Sequence, residues 1–366
     1  MKALIITCYE SNEERVSFIV ETCIQKGYEV KVITTDFSHI KKEKRTNIPN
    51  GYCAIETKPY IKNLSFERIS SHKKFAKDAF AMAEEDEYDL LWVMAPANSL
   101  IKEANKYKIR HLDTKLVIDI IDMWPESLPI SISKKLLPFR IWREIRRKNI
   151  NCADALVSEC DLYKGILAKE YGRKIQTIHW ARKYRNISTK TNLPKDKLSL
   201  CYIGSINNII GTKQMINIIN NCDMPVVLHV IGEGESRYSF INDLNKVCEV
   251  IYHGATRDEK VKDEIFAQCH AGLNIYKKNL YIGLTVKSID YFEHGLPIIN
   301  NIQGDTWKFI KEKDLGINVD ERMLVDTNKI IDMRNSNKKI LDFYYDNFTS
   351  DAFIKKCSKV ITEVAK

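Results

Sequence analysis

The chain has 366 residues, a formal net charge of +9, and 44% hydrophobic and 29% charged residues. This length predicts two domains, each large enough for its own core, and the composition is typical of a globular protein. No apolar run approaches the roughly 20 residues that span a bilayer, and the N-terminus lacks the long apolar core of a secretory signal. We therefore expect a cytoplasmic protein.

The cysteines and the net charge limit the kinds of site and partner that can be expected. No CxxC pair occurs, and several cysteines, such as Cys8 and Cys201, fall within apolar segments, where free Cys behaves as a small hydrophobic residue. Neither a disulfide framework nor a zinc site is predicted. The positive charge indicates an acidic partner: nucleic acid, anionic lipid or a diphosphate-bearing substrate. Nucleic acid has the least support, because zinc-finger spacing and basic–aromatic RNP-like motifs are missing from the sequence.

The first half alternates short apolar runs with longer amphipathic ones, which is typical of a parallel sheet flanked by helices. Helices are expected between the strands, for example at Glu13–Lys26 and Arg68–Glu85. The strands predicted in this half are Lys2–Cys8, Glu29–Thr35, Tyr52–Thr57, Asp89–Ala95, Lys115–Ile121, Ala155–Glu159 and Ile175–His179.

The stretch Lys134–Lys148, KKLLPFRIWREIRRK, mixes apolar side chains and Trp142 with many basic residues. Such a stretch can lie on an anionic membrane surface, with basic groups on the lipid head groups and Trp at the interface. Alternatively, it is a helix that packs its apolar face on the domain and leaves its charges in water. Pro138 argues against one long regular helix. A peripheral location on the inner face of the cell membrane is therefore an open expectation.

Between Trp180 and Lys197 the alternation gives way to ARKYRNISTKTNLPKDK, a polar, basic and proline-bearing stretch typical of a linker. The expected domains are 1–180 and 181–349, with a C-terminal helix at about 350–366 packing back on the first domain. Two such α/β units predict a ligand between them, outside the carboxyl ends of the strands. The strands predicted after the linker are Leu198–Ile203, Val226–Ile231, Val250–Tyr252, Ala271–Ile275, Pro297–Asn300 and Gly316–Val319.

Glycine-bearing turns follow several strands of the second half. LSLCYIGSIN ends at Gly204–Ser205, where a glycine lets backbone approach a ligand and Ser205 can donate a hydrogen bond. VVLHVIGEG ends at Gly232–Glu233–Gly234, which lacks the third glycine of a Rossmann fingerprint and so disfavours a dehydrogenase. VIYHGATRDE turns at Gly254. Each is equally compatible with an ordinary turn.

The stretch GLTVKSIDYFEHGLPII, Gly283–Ile299, predicts a loop, a short helix and a buried strand. Thr285 is a candidate N-cap, and a free helix N-terminus suits a phosphate. Asp290, one turn into the helix on the same face as Val286, could hold the hydroxyls of a ribose. The alternative is a helix that packs on a sheet through Ile289 and Phe292, with Asp290 solvated.

The segments GSI, VIGEG, HGATRDEKVKDEIFAQCHAGLNIY and GLTVKSIDYFEHGLPII occur in the order and spacing of a known family. They resemble the donor-binding half of family-4-type bacterial glycosyltransferases, which have the GT-B fold. In the first half, VIDIIDMWPES is similar to the D-x-W-P-E segment of capsule, O-antigen and exopolysaccharide glycosyltransferases. The resemblance implies an α/β fold of two Rossmann-like parallel-sheet domains facing each other across a cleft.

The same resemblance implies a retaining transfer of a sugar from a nucleotide-sugar donor, with a UDP-sugar expected, and with neither cofactor nor bound metal. The implied acceptor is a saccharide or an undecaprenyl-diphosphate-linked saccharide. Asp290 stands where the family holds the ribose hydroxyls. The amides of Thr285 and Val286 would hold the distal phosphate, and Lys287 would neutralise the leaving diphosphate, a catalytic role.

The remaining implied roles are divided between the two domains. In the first domain, Asp122 and Glu126 would take the proton of the acceptor hydroxyl, although Asp122 could equally be a helix cap or turn residue. Gly204 and Ser205 would close over the donor, and the turn Gly254–Thr256 would lie near the nucleobase. The full set of implied donor-binding positions is Gly204, Ser205, Gly232, Gly254, Thr256, Tyr276, Lys277, Thr285, Val286 and Asp290.

Three departures from the family pattern keep other functions open. Ile282 replaces a Glu that contacts the donor sugar, the ribose carboxylate is Asp rather than Glu, and Ser205 and Ile210 replace an Arg and a Lys that flank the diphosphate. A GT-B-type UDP-sugar epimerase and a non-catalytic partner protein are therefore alternatives. Candidates for the missing positive charge are Lys287, Lys277, Lys278, Arg182 and Lys183.

Overall fold

The computed structural model describes residues 1–128, 133–187, 191–278 and 280–366. The chain divides into two compact units, one of Met1–Arg182 with Ser350–Lys366 and the other of Lys183–Thr349. The division lies in the predicted linker, of which residues 188–190 fall outside the described residues.

Each predicted strand is present, with ends that differ from the prediction by at most two residues. The strands are β1 Lys2–Ile6, β2 Glu29–Thr35, β3 Tyr52–Ile55, β4 Leu90–Ala95, β5 Lys115–Ile120, β6 Ala155–Ser158, β7 Ile175–Thr177, β8 Leu198–Ile203, β9 Val226–Ile231, β10 Glu249–Gly254, β11 Ala271–Asn274, β12 Ile298–Asn300 and β13 Gly316–Asn318.

The α-helices lie in most of the intervals between strands and form the C-terminus, as the amphipathic pattern predicted. They are α1 Glu13–Gln25, α2 Phe66–Ala83, α3 Asn98–Arg110, α4 Leu137–Asn149, α5 Lys164–Glu170, α6 Thr212–Asn220, α7 Arg237–Leu244, α8 Glu259–Phe266, α9 Val286–Glu293, α10 Asp305–Lys313, α11 Thr327–Asn335, α12 Lys338–Phe348 and α13 Ser350–Val364.

Each unit contains one parallel sheet. The first sheet has the order β3-β2-β1-β4-β5-β6-β7, and the second has the order β10-β9-β8-β11-β12-β13. All of their pairings are parallel. The predicted α/β fold of two Rossmann-like parallel-sheet domains is therefore confirmed. The strand order reverses between β1 and β4 and between β8 and β11, the positions at which open α/β sheets form ligand crevices.

The core of the first unit includes a buried ion pair that ties several elements together. The Arg15 guanidinium on α1 donates to both carboxylate oxygens of Asp119 on β5 over 2.9 Å, and neither side chain is exposed. Phe353 of α13 packs on this region, with its ring 5.5 Å from the ring of Phe18 and 4.9 Å from the Arg15 guanidinium. The C-terminal helix α13 is thus part of the first unit's core.

Within the described part of the chain, none of the helices is both long enough and apolar enough to cross a membrane.

Candidate functional site

Helix α9 is positioned by its own Tyr291, which reaches the strand-order reversal of the second sheet. Strands β8 and β11 pair over only two residue pairs, Leu200 with Ala271 and Cys201 with Gly272. Beyond these pairs, the Tyr291 hydroxyl accepts from the Ile203 N–H over 3.2 Å and lies 3.1 Å from the Leu273 carbonyl oxygen, to which it can donate. The hydroxyl therefore bridges two diverging strands and holds α9 above the crevice.

Gly272 allows this close approach of α9 to the sheet. A Cβ atom at Gly272 would lie 2.4 Å from the Tyr291 ring, well inside van der Waals contact. Any larger residue at this position would push α9 away from β11, because the buried ring has no free space around it.

The N-terminus of α9 forms as the sequence predicted, but the capping detail was wrong. Thr285 occupies the N-cap position with extended backbone, yet its side chain makes no capping hydrogen bond. Its hydroxyl is hydrogen-bonded instead to the Asn274 side-chain oxygen, over 3.0 Å, and to the Ser288 hydroxyl, over 2.7 Å. Because the threonine side chain bonds elsewhere, it does not occupy the first N–H groups of α9.

Lys287 is the most unusual side chain in this region. It is 7% exposed, and within the described residues its ammonium nitrogen, Nζ, has no hydrogen-bond partner. Nζ lies 4.0 Å from the centre of the Tyr202 ring and 4.7 Å from that of Tyr276. Burial lowers the pKa of Lys287 to about 7, although the nearby Asp290 carboxylate opposes this change.

The turn after β8 completes the surroundings of this ammonium group. Gly204 has φ +128°, and a Cβ there would lie 3.6 Å from the Lys287 Nζ atom. The Tyr202 hydroxyl donates to the Ser205 carbonyl over 2.7 Å and so fixes the same turn. Tyr202, Gly204 and Tyr276 thus enclose Lys287 at the point where the strand order reverses.

Asp290 lies on α9 one turn beyond Lys287 and is 7% exposed, so the alternative of a solvated Asp290 is wrong. Its carbonyl accepts a hydrogen bond from the His294 ring over 2.7 Å. Val286, four residues before it, is 47% exposed. The structure therefore brings Asp290 and Lys287 together, and leaves the Val286 side chain at the surface.

Gly232 supports the Gly204 turn from the neighbouring strand. Its φ is +156°, and a Cβ at this position would lie 2.0 Å from the Gly204 carbonyl oxygen. A Cβ at Gly234 would likewise lie only 2.2 Å from the Ile206 carbonyl oxygen. Both glycines of VIGEG therefore permit the backbone of one turn to pack on another, a structural reason that their sequence did not reveal.

The other predicted donor-binding positions lie at the ends of neighbouring strands. Gly254 has φ +73° with open space around it, and its carbonyl accepts from the Gly232 N–H over 2.8 Å. The Thr256 hydroxyl accepts from the Asp258 N–H at the start of α8. Lys277 is exposed, next to the buried Tyr276. Their contact with a nucleotide stays a prediction.

Two of the residues that depart from the family pattern, Ile210 and Ile282, belong to the apolar packing of the second unit. Ile210, where the family has a Lys, is 3% exposed and belongs to the core of the second unit, and Ile282 packs against the same core. Lys278 forms an ion pair with Glu321, and Arg182 forms one with Glu14. Of the candidates for the missing charge, Lys287 is the one that lies buried beside the Gly204 turn.

In the first unit, Asp122 follows β5 and is surrounded by donors. Its Oδ2 atom accepts from the Trp124 indole over 2.7 Å, and its Oδ1 atom accepts from the Ser127 hydroxyl. Burial raises the pKa of Asp122 although these hydrogen bonds oppose the change. A carboxyl group with a raised pKa at a strand end suits proton transfer.

Glu126 has a different environment. Its carboxylate forms ion pairs with Arg143, over 2.5 Å, and with Arg146, over 2.9 Å. Burial raises the pKa of Glu126, but the hydrogen bonds and charges of Arg146 and Arg143 outweigh it and lower that pKa below its usual value. A carboxylate held in this way is a poor proton acceptor, so the catalytic role expected for Glu126 has no geometric support.

Glu159 was predicted at the end of a strand but was not among the predicted site residues. It follows β6 directly, beside Asp122, and burial together with the Asp122 charge raises its pKa to about 8. The available signal was the position of Glu159, a carboxylate directly after one buried strand, while Asp122 follows another.

Metal binding is not supported by any cluster in the described residues, where three or more His, Cys, Asp or Glu side chains never group in a way that could hold an ion. Independence from metal stays an expectation of the resemblance.

No family model and no curated protein sequence matches the chain. Several solved structures are similar to it over its whole length. Sucrose-phosphate synthase from Thermosynechococcus elongatus superposes with a TM-score of 0.72 and 12% identity, covering 100% of this chain and 99% of that one. Anabaena HepE in complex with UDP superposes with a TM-score of 0.67 and 10% identity, covering 99% of this chain and 100% of that one.

The lipopolysaccharide outer core galactosyltransferase WaaB, in its apo form, gives a TM-score of 0.61 and 14% identity, covering 100% of this chain and 99% of that one. At such identities the likeness is one of fold. The chain has the GT-B fold, with two Rossmann-like α/β domains.

Proposed function

We propose that this chain is a glycosyltransferase that takes a sugar from a UDP-sugar donor. The observation that carries the proposal is the buried ammonium of Lys287, which lies between Tyr202 and Tyr276, one turn from Asp290, and has no hydrogen-bond partner among the residues that the structure describes. Burying a charge without a hydrogen-bond partner is costly, and groups with strongly shifted pKa values cluster at functional sites. The diphosphate of a nucleotide-sugar would supply that charge at the N-terminus of α9.

Solved structures of the same fold support the choice of donor. Anabaena HepE has been crystallised with UDP and with UDP-glucose, and the trehalose-6-phosphate protein from E. coli was solved with UDP-2-fluoro glucose. Lys287 would offset the charge of the leaving diphosphate, which grows as the sugar–phosphate bond breaks. Asp290 would hold the ribose hydroxyls.

An anion can reach Lys287 only if the groups that enclose its ammonium move. The Nζ atom of Lys287 has essentially no exposed surface, so an anion reaches it only if the Gly204 turn or one of the two tyrosine rings moves aside. Donor binding would therefore be coupled to a local rearrangement of the turn after β8.

The finer parts of the proposal follow from the resemblance. The transfer would retain the anomeric configuration and need no metal, and the acceptor would be a saccharide or lipid-linked saccharide of a surface polysaccharide. Consumption of UDP-sugar without any acceptor would instead favour the epimerase-type alternative. Binding of UDP without turnover on any acceptor would favour a non-catalytic partner.

The first test uses Asp290→Ala and thermal denaturation. UDP at about 100 times its Kd should stabilise the wild-type protein by roughly 2.7 kcal/mol, which appears as a higher melting temperature. Asp290→Ala should melt cooperatively but lose this UDP-induced shift, because the ribose loses its carboxylate partner. The control is Asp332→Ala, an exposed residue on α11, which should keep the full shift. An undiminished shift in Asp290→Ala would remove its assigned role.

We also propose that α4 brings the protein to an anionic membrane. Pro138 lies in the first turn of this helix, so it does not interrupt the helix, contrary to the expectation from sequence. Leu136, Leu137 and Ile141 are 50%, 65% and 54% exposed. The basic residues exposed beside them are Lys135, Arg140, Arg147 and Lys148.

The part of Lys134–Lys148 that could contact a membrane is smaller than the sequence predicted. Trp142, expected at the lipid interface, is partly buried, with its ring 5.4 Å from that of Trp124. Arg143 and Arg146 are held by Glu126, and Arg146 also by Glu170. The exposed residues of α4 and the turn before it are therefore what could contact lipid.

Co-sedimentation with vesicles tests this surface. The wild-type protein should pellet with phosphatidylglycerol vesicles and stay in solution with neutral phosphatidylcholine vesicles, because the exposed charges are basic. The double variant Leu137→Asp/Ile141→Asp should reduce the bound fraction at least fivefold. Ile109→Asp, which changes a residue 66% exposed on α3, is the matched control and should pellet normally. Equal pelleting with both lipids would refute the claim that the basic residues attract the protein to anionic lipid.

A further inference from the structure

Two carboxylates stand side by side at the carboxyl ends of adjacent strands in the first unit. Strands β5 and β6 pair in parallel, with Ile120 opposite Ser158. Glu159 follows β6 directly, and its N–H donates to the Ile120 carbonyl over 3.1 Å. Asp122 lies two residues beyond the end of β5, so the sheet itself places the two acidic side chains at the same edge.

The partners of the two carboxylates are similar and electrically neutral. An indole N–H donates to each, from Trp124 to Asp122 and from Trp180 to Glu159. The Tyr163 hydroxyl at the start of α5 lies between them, 3.5 Å from the Asp122 Oδ1 atom and hydrogen-bonded to Glu159. Asp122 and Glu159 are each only partly exposed as residues, and burial is the main influence on both carboxyl groups.

The cations near the pair are already engaged. In the described parts of the chain, neither carboxylate forms an ion pair with Lys, Arg or His. Arg15 acts on Glu159 from a distance, but its guanidinium is bound to both oxygens of Asp119. Lys134 acts on Asp122 from a distance and donates to the Glu126 carbonyl.

Two uncompensated carboxylates in partly buried positions do not both ionise easily. Burial raises the pKa of both groups, and the Asp122 charge adds to the effect on Glu159, whose pKa reaches about 8. The contrast with Glu126, four residues from Asp122, is informative, because there two arginines lower the pKa. We therefore expect the two carboxylates together to keep one proton and one negative charge near neutral pH.

We propose that Asp122 and Glu159 act as one proton-sharing pair that binds the acceptor hydroxyl and takes up its proton. The reaction step rests on the proposed glycosyltransferase function, whereas the shared proton does not. The acceptor oxygen forms its bond to the sugar as the sugar–phosphate bond breaks, and the bonding electrons leave with the diphosphate. The hydroxyl proton passes to the ionised carboxylate of the pair, which later returns it to water.

The shared proton is tested by infrared titration of the whole protein without any ligand. The wild-type protein should show a carboxylic-acid band that disappears with a midpoint near pH 8. Glu159→Gln should remove this transition, and Asp122 should then titrate at lower pH. Tyr163→Phe, which removes a hydrogen bond that lowers the Glu159 pKa, should move the midpoint upward. Glu144→Gln, an exposed carboxylate paired with Arg147, should change nothing.

The absence of a carboxylic-acid band near neutral pH in the wild-type protein, or its persistence in Glu159→Gln, would overturn the pair. The role of the pair in sugar transfer is tested by a separate measurement. Glu159→Gln should keep the UDP-induced thermal shift, lower the transfer rate at least tenfold and flatten its dependence on pH between 6 and 9. An unchanged rate and pH profile would overturn it. Failure of UDP to bind the wild-type protein would refute the glycosyltransferase proposal but leave the infrared result standing.

Discussion

Lys287→Met is expected to weaken UDP binding by about 10- to 100-fold and, at the same time, to make the protein more stable. The methionine has a similar length and no charge, so it fits between the Tyr202 and Tyr276 rings without an unpaired ammonium. A charge-assisted contact to phosphate contributes about 1.5–3 kcal/mol, which corresponds to the expected loss of affinity.

The gain in stability depends on pH in a defined direction. The folded-state pKa of Lys287, about 7, is far below the value of 10.5 for an unperturbed lysine, so between these values the unfolded chain binds the extra proton. The stability of the wild-type protein should therefore rise with pH from about 7 to 10. At pH 6 the burial of this group costs at most about 5 kcal/mol, and Lys287→Met should recover a large part of it.

Urea unfolding at pH 6 and pH 9, with UDP titrations at the same pH values, measures both effects. Affinity of the wild-type protein for UDP should fall as pH rises through 7, because the ammonium loses its proton, and Lys287→Met should show no such dependence. Lys213→Met, an exposed lysine on α6, is the control and should alter neither property. A destabilised Lys287→Met with normal UDP affinity would show that the lysine is structural.

Gly232→Ala is expected to destabilise the protein by more than about 3 kcal/mol and to abolish UDP binding. Its Cβ would lie 2.0 Å from the Gly204 carbonyl oxygen, and φ of +156° is unfavourable for any other residue. Relief of this clash requires the Gly204 turn to move, and that turn lies beside the Lys287 ammonium.

Comparison with Gly254→Ala separates the cost of a positive φ from the cost of the clash between the two turns. Gly254 also has positive φ, +73°, but a Cβ there meets no atom within 4 Å. Alanine at this position should cost only about 1–2 kcal/mol, the usual penalty for a left-handed residue. Urea unfolding of both variants gives the comparison. Equal destabilisation would mean that backbone conformation alone, rather than the contact between the two turns, requires Gly232.

Much of the fold could be predicted because it depends on local patterns. Short, mostly apolar runs between amphipathic segments identified each strand, since burial on both faces of a parallel sheet requires such runs. The α9 segment was also recognisable, from Thr285 as a candidate N-cap, Gly295 at the end of the helix and Pro297 after it. These features are set by residues close together in the chain.

The site itself could be predicted only in outline. Sequence order indicated that Gly204, Lys287 and Asp290 belong to one region, but not that Lys287 would be enclosed by two tyrosine rings. Glu126 was expected to act beside Asp122, yet Arg143 and Arg146 from α4 neutralise it. Such differences arise because a side chain's charge state depends on neighbours that are distant in the chain.

By itself, the sequence determined two parallel α/β domains, the helix Val286–Glu293 and the residue types near it. The tertiary structure alone decided three features: the bridging of β8 and β11 by Tyr291, the enclosure of Lys287 by two tyrosine rings, and the placement of Asp122 and Glu159 at the same edge of the first sheet. The physical reason is common to all three. Each includes a contact between residues far apart in the chain, such as Ile203 with Tyr291, Tyr202 with Lys287 and Ile120 with Ser158, which periodicity and local propensity do not encode.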